Sequence, residues 1–146
     1  MTIATRTGHL TAELHQLARP IHIAHQGRVH TLPPLLDQLR DACTPPSGTP
    51  TGSTRTAPGS RPPIRVNAVD ALSAITVGIS ICHGRLNLPS PPRNVDWQKG
   101  VLALMAERAH DLTPQLADWL TLEVHDWWRT AALHTGWTPT QLRRLQ

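Results

Sequence analysis

The residues of this chain that could do chemistry are nine histidines, two cysteines and ten carboxylates. His22, His25 and His30 lie close together in sequence, and His125 stands beside Asp126, so zinc binding and proton transfer are the reactions to consider. Their spacing argues against both. Zinc sites are built from pairs such as H-x-x-x-H or C-x-x-C, and neither pattern occurs. Neighbouring helical residues do not face one another, so His125 and Asp126 cannot work as a pair. Glu107, Asp111, Asp118, Glu123 and Asp126 recur at positions that a solvated helix face would occupy. There is no glycine-rich phosphate loop and no nucleophile elbow. The chain is therefore expected to be no enzyme, to hold no metal and to need no cofactor.

Recognition is the remaining chemistry, and the C-terminus has the sharpest signal for it. Ala132 and Gly136 have the A-x-x-x-G spacing of a helix-turn-helix, in which the small residue admits a second helix and the glycine makes the turn. Ala131, Trp137, Leu142 and Leu145 fall where such a unit buries its core. Arg129, Thr140, Gln141, Arg143 and Arg144 are then the residues expected to meet DNA, helped by Arg55, Arg61 and Arg65 further upstream. An ordinary helical corner uses the same physics. A second surface comes from tryptophan. The chain has five Trp and no Phe or Tyr, so indoles must fill the core as well as serve any interface. Trp119, Leu122 and Leu133 fall off the buried stripe of their helix and form a candidate edge for a protein partner or for a second copy.

These residues need elements to place them. Leu10, Leu14 and Leu17 predict a first helix, which Arg19-Pro20 stops. Ile21 and Ile23 alternate with His22, and Gln26-Gly27 reads as the turn of a hairpin completed by Val29 and Leu32. Leu35, Leu36 and Leu39 predict a helix running to about Ala42. From Thr44 to Pro63 the chain is Pro, Gly, Ser, Thr and arginine, the composition of a disordered linker. Asn67 reads as the N-cap of a helix carrying Ala68, Leu72, Ile75, Ile79 and Cys82 on one face, with Gly84 at its C-terminal cap. Ile75 to Cys82 also alternates as a strand would, and the helix is preferred because its stripe begins at Ala68. Asp96 caps the next helix, which Val101, Leu102, Met105 and Ala109 mark. Thr113-Pro114 starts the long one, with Leu116, Leu120, Val124, Trp127 and Ala131 inward and Trp119 and Trp128 on its flanks. Thr138-Pro139-Thr140-Gln141 is a capping box for a last short helix. The expected fold is mainly α, a small helical bundle with a short N-terminal β-hairpin. It divides into a helix–hairpin–helix segment 1–43, a flexible basic linker 44–66 and a helical core 67–146.

Charge location tempers the DNA reading. The net +4 divides into +1 over residues 1–41, +3 over 42–69 and zero over 70–146, so most of the excess lies in the linker. The N-terminus lacks the apolar run of a signal peptide, and the most apolar stretch, Ala68 to Cys82, is too polar and short to span a bilayer. With two unpatterned cysteines, this predicts a cytoplasmic protein with reduced thiols and no membrane contact.

Thirteen of the fourteen basic residues are arginine, and Ala, Pro and Thr are abundant, as in GC-rich coding sequences. The order of parts resembles a family of small, uncharacterised proteins encoded by bacteriophages of actinobacteria. The resemblance rests on Leu35-Leu36-Asp37-Gln38-Leu39-Arg40-Asp41-Ala42, on Pro63-Ile64-Arg65-Val66-Asn67-Ala68-Val69-Asp70-Ala71-Leu72 after the linker, and on Gly136-Trp137-Thr138-Pro139. It implies a cytoplasmic phage accessory protein in a bacterial host. Longer relatives continue into a segment resembling a zinc ribbon, which this sequence lacks, and the family lends no activity. Two functions are carried forward. One is DNA binding through the C-terminal helical pair, and the other is an adaptor or dimeric module that binds a host or phage protein.

Overall fold

A computed structural model describes residues 3–44 and 63–146, with side chains from Gly8 to Thr44 and from Asn67 onward. It is a mainly α bundle with one β-hairpin. The chain runs through α1 (Ile3–Ala18), β1 (Ile21–His25), β2 (Arg28–Leu32), α2 (Leu35–Cys43), α3 (Pro63–Arg85), α4 (Trp97–Arg108), a short 3₁₀ turn (Ala109–Asp111), α5 (Pro114–Thr135) and α6 (Pro139–Arg144). Most of the linker expected from Thr44 onward, including Arg55 and Arg61, lies outside the described residues. Arg65 falls in the first turns of α3, and its side chain also lies outside them.

The middle of the bundle is α5, which packs against α1, α2 and α3, while α4 covers α1 and α3. One continuous core results. Leu10, Leu14 and Leu17 of α1 and Leu35, Leu36 and Leu39 of α2 meet Ile75 and Ile79 of α3, Leu102 and Met105 of α4, and Leu120, Val124, Trp127 and Trp128 of α5. Segment 1–43 thus shares its core with residues 67–146. Burial of this much aliphatic surface, at roughly 25 cal/mol per Å² removed from water, is the main force holding the helices together.

The ambiguity at Ile75 to Cys82 resolves as helix. In a strand Ile75, Val77, Ile79 and Ile81 would share a face. Here Ile75 and Ile79 are 2% and 0% exposed, whereas Val77 and Ile81 are 57% and 58% exposed. Close approach to α5 is possible because residue 78 is glycine: a Cβ there would lie 2.7 Å from the indole Nε1 of Trp127.

Several caps follow the sequence. Asp96 accepts from the Lys99 N–H, and Thr113 from the Leu116 N–H with Pro114 following. Thr138 and Gln141 form the reciprocal capping box. Gly136 ends α5 with φ 84°, and the Trp137 N–H returns to the Ala132 carbonyl at 3.0 Å, a Schellman closure. Gln26 and Gly27, with φ 51° and 75°, form the two-residue turn whose positive dihedrals match strand twist.

Two expected caps are corrected. Asn67 lies inside α3, which begins four residues earlier at a proline suited to a first turn. Gly84 is helical, and the left-handed residue is Asn87, with φ 53°. The Leu88 N–H there closes on the His83 carbonyl, which lets Leu88 bury its side chain. A third correction concerns Trp128, expected on a flank of α5 but 0% exposed, because α1 and α6 close over it.

Candidate functional site

The most connected polar site lies where α1, α5 and α6 meet. Helical spacing sets Glu13 and Gln16 on the buried side of α1, at 1% and 7% exposure. A buried carboxylate costs several kcal/mol unless it is paired, and Glu13 is paired twice. Its Oε2 accepts from Arg143 Nη2 at 2.7 Å and lies 3.0 Å from His125 Nδ1. Gln16 satisfies both ends of its amide: Oε1 accepts from Trp128 Nε1 at 2.8 Å and from Gln146 Nε2 at 3.1 Å, while Nε2 donates to the Leu142 carbonyl at 2.8 Å. Arg143 lies over the Trp128 ring at 4.4 Å and His125 stacks against the same ring at 5.6 Å. We call this arrangement the clasp.

A carboxylate orienting an imidazole is a motif of acid–base catalysis. Here, however, the carboxylate is shared with a guanidinium, and among the described residues the ring nitrogens of His125 bond Glu13 alone. The geometry favours a structural role. Sequence reasoning missed the clasp because Glu13 and Arg143 are 130 residues apart. The one available signal was the polar pair Glu13 and Gln16 on the leucine side of the first helix.

The residues expected to bind DNA are dispersed by this structure. Arg143 points inward to Glu13, and Gln141 accepts from the Thr138 N–H within the capping box. Arg129, Thr140 and Arg144 are exposed. Beside them, Asp126, Arg129, Thr130, Leu133, Trp137, Thr138 and Pro139 line a shallow groove of about 420 Å³. The helix that would read base edges, α6, is six residues long and has its Leu142 buried.

The expected apolar edge is likewise divided. Leu122 and Leu133 are 72% and 73% exposed on one line of α5. They stand about 16 Å apart along the helix axis, with Asp126 and Arg129 on the same line between them. Leu133 belongs to the groove at Trp137. Trp119 is half-buried, its ring covered at 4.1 Å by the guanidinium of Arg85 from α3. That contact and Gly78 against Trp127 set α3 and α5 antiparallel. The register puts exposed Val77 and Ile81 of α3 on the side that adjoins Trp119 and Leu122 of α5. Sequence reasoning did not include Val77 and Ile81, because the strand-like alternation through them concealed which face was outward.

Other chemistry-bearing groups are engaged locally. His22 Nδ1 lies 3.1 Å from Thr31 Oγ1 across the hairpin, and His83 tilts against Trp97. Burial, and then the neighbouring Arg19 charge, hold the His15 imidazole below its ordinary pKa. Burial, reinforced by the Glu123 charge, pushes the Cys82 thiol up to about 12 against the partial opposition of Arg85, so it is a poor nucleophile. Asp96 at the start of α4 feels burial, which raises its pKa. Hydrogen bonds from Arg40 and the Lys99 N–H, with the charges of both residues, outweigh this and hold it below the usual carboxylate value. Arg40 bridges Asp96 and Asp37, and Lys99 reaches Asp37 at 3.0 Å, so four charges tie α2 to α4. Among the described residues no three His, Cys, Asp or Glu side chains gather as a metal site requires. No described helix is long and apolar enough to cross a membrane.

Comparison with known proteins gives one result. The family described as Domain of unknown function (DUF7341) matches residues 2–133, and the chain belongs to that family. The match covers α1 through most of α5, whereas Gly136-Trp137-Thr138-Pro139 and α6 lie beyond it. No curated protein and no solved structure matches the chain.

Proposed function

We propose that the protein is a non-catalytic interaction module that pairs with a second copy of itself through the outer face of α3 and α5. The observation that carries this reading is the exposure of Val77, Ile81 and Leu122 on two adjoining helices, at 57%, 58% and 72%. Isolated exposed aliphatics are ordinary on protein surfaces, but a group of them on one face beside a half-covered tryptophan has the composition of an interface centre. A two-fold contact must be self-complementary. Both helices of the face carry both signs, Asp70 and Arg85 on α3 and Glu123, Asp126 and Arg129 on α5, so laying α3 of one copy along α5 of the other offers each arginine a carboxylate.

The DNA reading of the C-terminal pair keeps less support, since Arg143 and Gln141 are used within the fold and Arg129, Thr140 and Arg144 remain. The bacteriophage origin and cytoplasmic location implied by the resemblance belong to this proposal, as does the absence of catalysis.

Sedimentation velocity tests the reading. The wild type is expected to sediment as a dimer and an Ile81→Glu, Leu122→Glu variant as a monomer with unchanged far-UV circular dichroism. A wild type that stays monomeric at its highest soluble concentration overturns it, and so does a variant that still dimerises.

A further inference from the structure

Between Glu13 and Asp37 the chain carries Arg19, Arg28, His15, His22, His25 and His30 and no carboxylate. The fold gathers this stretch at one end of the molecule, in the last turn of α1 and the β1–β2 hairpin. From His22 to Thr31 every side chain except Ile23 is exposed. The ladder pairs Ile23 with His30 and His25 with Arg28. Directly opposed residues share a face and alternate residues along a strand share a face, so His25, Arg28 and His30 stand together near the tip. Arg19 sits at the base, where it lines a groove of about 480 Å³ with His15, His22 and Gln146. None of the ion pairs among the described residues engages Arg19 or Arg28.

The hairpin packs on the bundle at its base through Ile21, Ile23 and Leu32, whereas its tip from Ala24 to Thr31 is exposed and adds nothing to the core. Its dimensions and charge fit one kind of partner. Two strands about 4.8 Å apart make a ribbon that enters a B-form major groove, about 12 Å wide. The corresponding groove of A-form RNA is too narrow for side chains to read. Guanidinium groups donate to phosphate oxygens, and imidazole N–H groups can do the same.

We propose that the β1–β2 hairpin, with Arg19 at its base, is a binding arm for duplex DNA that lies along the major groove and holds the flanking phosphates through Arg19 and Arg28. The arm is separate from the α3–α5 face and does not depend on self-association.

The test is fluorescence anisotropy with a labelled DNA duplex over a salt series, using the full chain. Wild type is expected to bind at low salt with an affinity that falls as salt rises. An Arg19→Ala, Arg28→Ala variant is expected to lower the slope of log affinity against log salt by about two, one for each phosphate no longer neutralised. Both arginines are exposed, so the variant keeps its circular dichroism, and that spectrum is recorded with each titration. Arg129→Ala on α5 is expected to leave the slope unchanged. The proposal is overturned if wild type binds no duplex, or if double-stranded RNA competes as well as DNA. It also fails if the slope responds to Arg129 and not to the hairpin pair. Sedimentation reports on the α3–α5 face separately, so the failure of one reading is distinguishable from that of the other.

Discussion

Arg143 and Arg144 are neighbours of the same type, and their surroundings make them different residues. Arg143 neutralises a carboxylate that is 2% exposed and lies over an indole, while Arg144 is exposed. Removing one partner of a buried pair leaves the other charge uncompensated, at about 3–5 kcal/mol in full burial. Arg143 is itself 31% exposed and His125 remains beside Glu13, so a smaller loss follows. We expect Arg143→Ala to destabilise the fold by about 2–3 kcal/mol in urea denaturation. Arg144→Ala should stay within about 0.5 kcal/mol of wild type. Equal effects would mean that the clasp adds nothing to stability. Sequence cannot separate these two arginines, because the distinction lies in a helix at the other end of the chain. Composition did point to the right residue class: with no other aromatic available, indoles fill the core at Trp127 and Trp128.

The elements were more legible. Thr113, Asp96 and the Thr138–Gln141 box are local chemistry, in which a side chain meets a backbone group three residues away, and all three stand where the pattern puts them. Asn67 and Gly84 misled for a physical reason. Each has the propensity of a cap, but α3 begins at Pro63, which suits a first turn, and beyond Gly84 the core still accepts Leu88, so a preference worth about 1 kcal/mol does not set the boundary. The two glycines of α3 make this testable with opposite signs. A methyl at Gly84 would meet nothing within 4 Å, so Gly84→Ala should raise stability by up to about 1 kcal/mol through helix propensity. A methyl at Gly78 would collide with Trp127. Overpacking of about 1–3 kcal/mol then exceeds the propensity gain, and Gly78→Ala should lower the melting temperature while Gly84→Ala raises it. A rise in both would mean that α3 and α5 are not held in this register.

At the scale of the molecule, the sequence division into 1–43 and 67–146 marks where the polar stretch falls, while the core runs across both parts. Leucines of α1 and α2 complete the surface that α5 presents. All five tryptophans lie between Trp97 and Trp137, and Trp128 bonds Gln16 of α1 while Trp137 bonds Gln38 of α2, so their fluorescence follows the docking of the first two helices and circular dichroism follows their helicity. A shared core predicts coincident unfolding curves from the two signals. Curves that separate into two transitions would show that the first two helices fold apart. What remained invisible in the sequence at this scale was the outer surface, since exposure of Val77 and Ile81 follows from which helix lies behind them.

The clasp also constrains the order in which the chain can be completed. Glu13 leaves the ribosome early, and the guanidinium that neutralises it follows 130 residues later. Domains emerge N-terminus first, and contacts this distant in sequence form slowly. Until α6 has been synthesised, Glu13 has only the His125 imidazole beside it, and Gln16 Nε2 lacks the Leu142 carbonyl. The first helix of the bundle is thus among the last to be locked in place.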